Sequence, residues 1–443
     1  MKRIYGAFAY SRGPIDACHW ARAVPDAILT APPAEGRIRT RVAVIGGGYT
    51  GLNAALHLAE DGEVVTLLDA AFPGFGASGR NGGFCCLGGS RATDRQLARY
   101  GDPKDVRRAE KAAIDHVSTL LDRLGIDADR QDHGEAIVAH SPAMAASLPA
   151  LAEEFAKDYD TTPRVIAGDE MAANGMAGHW HGALSVPLGF SLHPRKYASG
   201  LLRAAQGAGV TVHAESPVTR IEQSGGTFTL TTPNATVEAD RLILATNGYT
   251  SEDIPSWVRA RTLPAQSSVI ATRPMTDEEL QAQGWTTRQM AYEDRRLLHY
   301  FHLTPDNCMV FGQRGGLITS AANDARVALH VRRDFDRAFP AWRGIETPST
   351  WSGMVCLTAN LTPYCGPIPG MPGAFAAFGY HGNGVAMGSY LGMILADLAA
   401  DRSPRAPLPA AFSALPKRFP LGPLRRAWLA AEYGWAQLTD RAA

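Results

Sequence analysis

Three glycines at a fixed spacing offer the clearest chemistry in this chain. The run GGGYTG places them at Gly46, Gly48 and Gly51, between an apolar run and an amphipathic one. Glycine at these points allows a tight turn, lets the backbone approach a pyrophosphate and lets a helix pack closely on a strand. The amino end of that helix offers free N–H groups and a positive dipole to an anion. The pattern therefore predicts a dinucleotide site that includes Gly46, Gly48, Tyr49, Thr50 and Gly51.

A carboxylate follows at the distance that such a site needs. Asp69 ends the next apolar run, 23 residues after Gly46. A carboxylate there accepts hydrogen bonds from ribose hydroxyls and repels a 2′-phosphate. We therefore place Asp69 and its neighbour Ala70 at the adenosine half of the dinucleotide.

A second glycine-rich loop, residues 75–83, follows closely. Its sequence FGASGRNGG is rich enough in small residues to lie against a flat ring system. Ser78, Arg80 and Asn81 offer donors to phosphate and flavin oxygens, so the loop favours a flavin dinucleotide over a nicotinamide one. An ordinary surface loop can have the same composition, and this alternative stays open. The predicted contacts of the loop are Gly76, Ala77, Ser78, Arg80, Asn81, Gly82 and Gly83.

A third glycine-rich turn, residues 379–388, precedes a run that predicts a helix. Gly382 and Gly384 leave amide groups free ahead of this helix, where its dipole favours negative charge. A plain turn before a core helix is the alternative. His381 within the turn either orients a substrate amine, as suits a group that titrates near pH 7, or bonds the backbone of the turn.

Further candidates lie on two predicted strands. Arg314 ends one of them, and its guanidinium either holds a substrate carboxylate through paired hydrogen bonds or lies in solvent. Tyr300 and His302 share one face of the other strand and either line a pocket or pack. We take His381, Tyr300 and Arg314 as the catalytic candidates. The chain shows no metal-ligand spacing, P-loop or nucleophile elbow, so no metal is predicted.

These residues need a scaffold of alternating strands and helices. Residues 41–46 predict a buried strand, 51–61 a helix and 64–69 a second strand, which together form a parallel dinucleotide-binding unit. Residues 265–333 mix strands and turns and predict a separate sheet. The predicted fold class is therefore α/β, with a Rossmann-type FAD-binding domain and an interleaved α+β substrate domain built on a mixed or antiparallel sheet.

The chain of 443 residues is too long for one simple core and predicts two domains. Each domain is discontinuous, because its segments alternate along the chain. The predicted segments are 1–40 for an amino-terminal arm on the domain surface, 41–91, 190–255 and 350–403 for the FAD-binding domain, 92–189 and 256–349 for the substrate domain, and 404–443 for a tail with a helix.

Composition narrows the class of protein. Lys plus Arg and Asp plus Glu both number 43, so the net charge is zero, which argues against a nucleic-acid partner. The six cysteines form no CxxC pair, which favours a reducing compartment. The first 40 residues hold no apolar signal segment, and no run is long enough to cross a bilayer. We therefore expect a cytoplasmic enzyme, while its oligomeric state stays open.

The longest motifs resemble those of a known family. GGGYTGLNAALHLAE, LLDA and GFGASGRNGG are similar to the D-amino-acid-oxidase-type FAD-dependent oxidoreductase superfamily. Within it, the nearest resemblance is to gamma-glutamylputrescine oxidoreductase-like proteins, and it extends over nearly the whole chain. Further landmarks are LHP at 192–194, SPV at 216–218, LATNGY at 244–249, YFHLTPDN at 300–307, WSG at 351–353 and GYHGNGV at 379–385.

The resemblance implies roles for residues far from the first motif. Val218 would meet the adenine side through its backbone, and the loop before the last core helix would bring amides to the pyrimidine edge of the flavin. Relatives attach flavin to a cysteine in this broad region, but Cys356 does not fall at that point. We therefore predict non-covalent FAD and a buried structural thiol at Cys356. The other residues implied near the cofactor are Ala245, Thr246, Gly248, Gly353, Gly382, Asn383, Gly384, Val385 and Ala386.

The resemblance also implies oxidation of a C–N bond in a small amine or amino-acid-like substrate. Hydride would pass from the carbon that bears nitrogen to flavin N5, and the resulting imine would hydrolyse, with oxygen as the electron acceptor. Because a neutral amine gives up hydride, a desolvated pocket suffices and no protein base is required. Two alternatives stay open: a flavin dehydrogenase that passes electrons to a quinone or carrier, and a flavin-binding protein without turnover.

Overall fold

Two large sheets organise the chain in a computed structural model, which describes residues 1–295 and 297–442. The strands, in chain order, are β1 (Gly36–Ile45), β2 (Val65–Leu68), β3 (Phe84–Cys85), β4 (Glu135–Val138), β5 (Arg164–Ala167), β6 (Gly182–Val186), β7 (Phe190–Ser191), β8 (Thr211–His213), β9 (Arg220–Ser224), β10 (Thr227–Thr231), β11 (Ala235–Leu244), β12 (Leu263–Ala271), β13 (Met290–Glu293), β14 (His299–Leu303), β15 (Met309–Arg314), β16 (Ser349–Leu357), β17 (Tyr364–Pro367) and β18 (Ala374–Phe378). The helices are α1 (Tyr49–Glu60), α2 (Asp94–Leu97), α3 (Pro103–Leu124), α4 (Pro142–Tyr159), α5 (Pro194–Gly207), α6 (Asp277–Gln283), α7 (Ala321–Ala338), α8 (Ala386–Ala399), α9 (Ala410–Ser413) and α10 (Arg425–Ala442).

The first sheet is built around β1, whose last four residues are apolar and buried. Its strand order is β17-β18-β11-β1-β2-β8, and the hairpin β9–β10 pairs with β11. β1 runs parallel to both neighbours, with Val42 opposite Arg241 on β11 and Val65 on β2. A continuous apolar strand is typical of a parallel sheet that is covered on both faces. This arrangement confirms the Rossmann-type part of the predicted fold class.

The two faces of this sheet are covered by different elements. The helices α1, α5 and α8 pack together, and their apolar residues share one core with Val42 and Val44 of β1. The approach of α8 to α1 is close, since a Cβ on Gly392 would lie 2.4 Å from the carbonyl oxygen of Thr50. On the other face, Phe228 of β10 packs in a separate core. Water is therefore excluded from both faces of the sheet, and β1 lies in its interior.

The second sheet has the order β16-β12-β15-β14-β13-β4-β6-β5. Its neighbours are antiparallel except β4 and β13, which run parallel. Its outer face packs around an aromatic cluster in which Phe301 stacks on Trp180 with ring centroids 4.9 Å apart. The mixed sheet confirms the second part of the predicted fold class.

More than half of the first 35 residues are exposed, although several of their side chains reach the interior. They form short 3-10 turns, and Trp20 and Leu29 are buried in the main core. The indole N–H of Trp20 donates to the carbonyl oxygen of Asn81 at 2.8 Å. The sequence has no helical or strand period there because the turns that bury these residues are too short to repeat one.

The described elements also differ locally from the predicted segments. Strand β16 pairs with β12 in the second sheet, although we placed residues 350–403 in the FAD-binding domain. Helix α3 packs against α8 of the first layer, although we placed residues 92–189 in the substrate domain. The domain boundaries as such stay predictions. Across the part of the chain that the structure describes, no helix combines the length and apolar character needed to cross a membrane.

Candidate active site

A cavity of about 550 Å³ lies between the two sheets. On one side it is lined by Ile45, Leu68 and Leu244, which are the last residues of the parallel strands β1, β2 and β11. On the other side it is lined by residues of the second sheet, including Tyr300 and Arg314. Ligands of open parallel sheets bind at the carboxyl ends of the strands. The cavity therefore joins a nucleotide-type cleft to a second wall made of side chains.

The first glycine turn forms the narrow end of this cleft. Gly46 has φ +105°, and a Cβ there would lie 2.9 Å from the carbonyl oxygen of Ala245. A Cβ on Gly51 would lie 1.8 Å from the carbonyl oxygen of Gly46. Gly48 caps α1 without any side chain, and its own Cβ would meet only the hydroxyl of Ser78, at 2.9 Å. At this helix terminus the Tyr49 N–H donates to Oγ of Ser78 at 2.9 Å. The helix dipole and the space kept by glycine fit a bound diphosphate.

Asp69 lines the same cavity and is held by two amides. The Gly47 N–H donates to Oδ2 at 2.7 Å, and the Ala71 N–H donates to Oδ1 at 2.8 Å. Burial raises the pKa of Asp69 to about 6, against the opposing effect of the two amides. Each oxygen keeps a second lone pair, so the carboxylate can still accept from ribose hydroxyls. Ala70 lies beside it in the cavity wall.

The second glycine loop is braced by its own polar side chains. Asn81 donates to the carbonyl oxygens of Ala77 and Ser78 at 3.1 and 3.0 Å and accepts from the Gly83 N–H at 2.8 Å. Arg80 is buried and donates through Nη1 to the carbonyl oxygen of Ser352 at 3.1 Å. Its Nε also donates to the carbonyl oxygens of Phe75 and Gly76 at 2.9 and 3.2 Å, so the guanidinium braces the loop, and no carboxylate pairs with it within the described residues.

Most of the predicted cofactor residues share this one cavity. Four of them, Gly51, Gly83, Gly248 and Ala386, do not line it and instead pack directly behind it. The predicted cofactor residues that line the cavity are Gly46, Gly48, Tyr49, Thr50, Asp69, Ala70, Gly76, Ala77, Ser78, Arg80, Asn81, Gly82, Val218, Ala245, Thr246, Gly353, Gly382, Asn383, Gly384 and Val385.

His381 lies in a strained turn at the edge of the cavity. Its φ is +53°, its N–H donates to the carbonyl oxygen of Cys356 at 3.1 Å, and its Nε2 lies 3.2 Å from the hydroxyl oxygen of Thr358. Burial lowers the pKa of His381 to about 3, so the imidazole is neutral at pH 7. The side chain thus lines the cavity and braces the turn as well. Cys356 is a buried thiol in the same wall.

Tyr300 and Arg314 come together on the second sheet. The Tyr300 hydroxyl lies 2.9 Å from Oγ of Ser267, and its ring packs on Gly312, where a Cβ would lie 2.2 Å away. Burial raises the pKa of Tyr300 and lowers that of Arg314. The guanidinium of Arg314 makes no hydrogen bond or ion pair to any other described residue. Arg314 is half-buried and lines the cavity, and its role stays a prediction.

His302 differs from Tyr300 although both lie on β14. Its Nε2 lies 2.8 Å from the carbonyl oxygen of Gly82, and it is buried outside the main cavity. Of the two alternatives for this pair, Tyr300 therefore lines the pocket and His302 packs behind the glycine loop.

The far end of the cavity holds polar residues that sequence reasoning missed. Glu110 of α3 is buried and accepts a hydrogen bond from the Tyr159 hydroxyl at 2.7 Å. Arg107 lies 3.7 Å from Glu110 and 3.1 Å from Asp158. One signal was available, because Glu110 falls on the apolar face of an amphipathic helix. Spacing could not have found their partners Asp158 and Tyr159, since these two come from a separate helix, α4.

A second missed group, Glu135, lies just behind this end. It begins β4 and is fully buried, and neither carboxyl oxygen has a hydrogen-bond partner among the described residues. Burial raises the pKa of Glu135 to about 8, so the side chain is a neutral acid at pH 7. Nearby, Cys86 lines the cavity and donates to Oδ1 of Asn383 at 2.9 Å.

The site combines a glycine-rich turn and a buried acid on one wall with a mixed sheet on the other. This combination is typical of the class of flavin-dependent oxidoreductases that contain two sheets. The chain belongs to the FAD dependent oxidoreductase family, whose model matches residues 41–398. This membership confirms the predicted family, the oxidoreductase class and the cofactor FAD.

Similar proteins agree with this assignment. A probable oxidoreductase OrdL from Rhizobium meliloti (strain 1021) is 30% identical over 376 residues, which is 84% of this chain and 86% of that protein. The gamma-glutamylputrescine oxidoreductase of Escherichia coli (strain K12) is 30% identical over 362 residues, 81% of this chain and 83% of that protein. The crystal structure of glycine oxidase from Geobacillus kaustophilus superposes with a TM-score of 0.70 at 21% identity, covering 85% of this chain and 99% of that one. The last likeness shows the shared fold.

Proposed function

We propose that the protein oxidises a C–N bond of a small amine that carries an anionic group, with oxygen as the electron acceptor. When bound, FAD supplies the chemistry by accepting hydride from the carbon next to nitrogen, and the imine product hydrolyses in water. The observation that carries the proposal is the unpaired guanidinium of Arg314 in the cavity that the flavin loops also line. The names of the relatives, which include amine and amino-acid oxidoreductases, support the substrate class.

Arg314 would bind the anionic group of the substrate. Its half-buried guanidinium has no hydrogen-bond partner among the described residues, and a carboxylate matches its geometry through paired hydrogen bonds. Tyr300 lies beside it with a neutral hydroxyl and would donate to the same group or to the amine. A carboxylate at this wall would also balance a charge that has no counter-ion among the described residues.

The rest of the cavity would favour the neutral amine. Its lining is largely apolar, and burial disfavours a charged ammonium, so the amine loses its proton more readily there than in water. His381 would act as a positioning residue, because its hydrogen bond to Thr358 fixes the turn that carries Gly382 and Gly384. A protein base is not needed in this scheme.

The test is an anaerobic screen of the purified holoprotein. Amines, N-methyl amino acids and gamma-glutamyl amines are added singly, and bleaching of the flavin near 450 nm reports reduction. We expect substrates with a carboxylate to reduce the flavin and their carboxamide analogues to reduce it much more slowly. Re-oxidation by oxygen is then compared with re-oxidation by a quinone. Flavin that stays oxidised with every compound contradicts the proposal, and re-oxidation by the quinone alone contradicts oxygen as acceptor.

A further inference from the structure

A second cavity, of about 320 Å³, lies apart from the cofactor site. The amino-terminal arm forms one wall through His19 and Trp20, and the turn between β14 and β15 forms another through Thr304 and Asp306. The proposed flavin chemistry gives no role to this cavity. It is the place where the arm meets the second sheet.

Three side chains of the metal-ligating type converge beside this cavity, and two of them, His19 and Asp306, line it. A ring nitrogen of His19, a carboxylate oxygen of Asp306 and Sγ of Cys308 all lie within 4.8 Å of one another. His19 and Cys308 are buried, whereas Asp306 is exposed. The turn that carries the last two is well fixed, since the Thr304 hydroxyl donates to Asp306 Oδ1 at 2.5 Å and accepts from the Cys308 N–H at 2.9 Å.

The buried ring of His19 independently indicates that a ligand is missing. Only 8% of His19 is exposed, and its Nδ1 is buried with no hydrogen-bond partner among the described residues. A buried polar atom without a partner is costly and is rare in folded proteins. An imidazole nitrogen can supply a lone pair to a ligand at this place.

We propose that His19, Asp306 and Cys308 bind one zinc ion. Nitrogen, sulfur and oxygen ligands together suit Zn²⁺, whereas Mg²⁺ and Ca²⁺ prefer oxygen alone. Binding replaces the S–H proton of Cys308 by the metal and releases that proton to solvent. A tetrahedral ion with ligand distances of about 2.0–2.3 Å needs these atoms slightly closer than they are here. The fourth position would be filled by water from the cavity.

The ion would tie the arm to the second sheet. His19 precedes Trp20, whose indole N–H holds the carbonyl oxygen of Asn81 in the flavin loop. On the other side, His302 of β14 contacts the carbonyl oxygen of Gly82 in the same loop. Zinc at this junction would therefore stabilise the support of the flavin loop without touching the reacting atoms. The site escaped sequence reasoning because its ligands are nearly 300 residues apart, with no motif spacing.

The experiment measures zinc bound to the full chain. Chelator-treated holoprotein is dialysed against about 10 µM free Zn²⁺, and bound metal is counted by atomic emission. We expect one zinc per chain and a rise in melting temperature of roughly 2–4 °C on binding. We expect no binding of Mg²⁺ at the same concentration. His19→Gln and Cys308→Ser should each retain less than a fifth of the zinc.

Matched controls separate the site from adventitious binding. His133→Gln changes an exposed histidine and Cys365→Ser a buried cysteine elsewhere, and both should bind zinc as the unchanged protein does. Circular dichroism verifies that each variant is folded, and Asp306→Asn, at an exposed position, tests the site without disturbing the core. Less than a fifth of an equivalent bound by the unchanged protein overturns the proposal. It is also overturned if Cys308→Ser alone loses zinc while the folded His19→Gln and Asp306→Asn variants retain it.

Discussion

The two walls of the active-site cavity recognise their ligands by different means. The wall formed by the first sheet uses backbone, because Gly46, Gly48 and Gly51 bring amides and a helix terminus to the cleft. The wall formed by the second sheet uses side chains, chiefly Tyr300 and Arg314. Backbone recognition requires glycine at fixed spacing, so it can be recognised as a motif in the sequence. Side-chain recognition depends on which strands become neighbours, and it produces almost no recognisable motif.

The largest expected effect comes from breaking the backbone wall. Gly48→Val places a branched side chain where the diphosphate would lie, while within the protein its Cβ meets only the Ser78 hydroxyl. We expect a folded protein with less than a tenth of the normal FAD. Flavin released by acid from equal amounts of protein is the measurement. Gly344→Val, at a glycine with open space around it, is the control and should keep its flavin. Full occupancy in Gly48→Val would falsify the cofactor assignment of this turn.

The side-chain wall should behave in the opposite way. Arg314→Met should keep FAD but lower kcat/KM for a carboxylate-bearing substrate by roughly 100- to 1000-fold, about 3–4 kcal/mol, since a charged, paired hydrogen bond is lost. Steady-state kinetics with the substrate and with its carboxamide analogue measure this, because the analogue should lose little. Arg326→Met, on an exposed part of α7, should leave both rates unchanged. Equal losses for both compounds would count against binding of the anionic group by Arg314.

His381 lies between the two walls. Its substitution therefore tests whether FAD binding and substrate oxidation can be changed separately. If its bond to Thr358 positions the turn, His381→Ala should slow flavin reduction on the order of tenfold to a hundredfold, about 1.4–2.7 kcal/mol, with FAD retained. Anaerobic stopped-flow kinetics isolate that step from re-oxidation. Thr358→Val removes the same bond and should reproduce part of the effect, whereas His133→Ala at an exposed site should not. An unchanged reduction rate in both variants would remove His381 from the site.

A further effect, on stability and not on binding or rate, concerns the buried acid Glu135 behind the second wall. The pKa of Glu135 is raised to about 8, so the folded state favours the protonated acid. Its contribution to stability is complete below the unfolded pKa of about 4.5 and is lost as pH rises to about 8, at about 1.4 kcal/mol per pH unit. Glu135→Gln should therefore melt at a higher temperature than the unchanged protein at pH 9, and at a similar one at pH 4.5. A similar difference in melting temperature at both pH values would show that Glu135 does not titrate in this range.

Sequence reasoning succeeded where a local rule determined the structure. The strand, glycine turn and helix at residues 36–60 and the mixed second sheet were predicted because apolar period and glycine spacing act over short distances. It did not predict that Trp20 and Leu29 of the amino-terminal arm lie in the main core. It also left Arg314 between two alternatives, since strand alternation tells which face a residue is on and not what covers that face. Glu110 and Arg107 were missed because only the tertiary fold brings their helix to the cavity.

The position of β1 in the first sheet has a consequence for synthesis of the chain. β1 is complete at Ile45, but its parallel neighbour β11 begins only at Ala235, 190 residues later. At about 5–20 residues per second, the ribosome needs about 10–40 s to make that stretch. During this time one edge of the nascent central strand has unpaired backbone N–H and C=O groups, and its side chains are strongly apolar. Such an edge favours aggregation. Low growth temperature and abundant chaperones should therefore raise the yield of recombinant protein, and loading of the cofactor must follow translation of most of the chain.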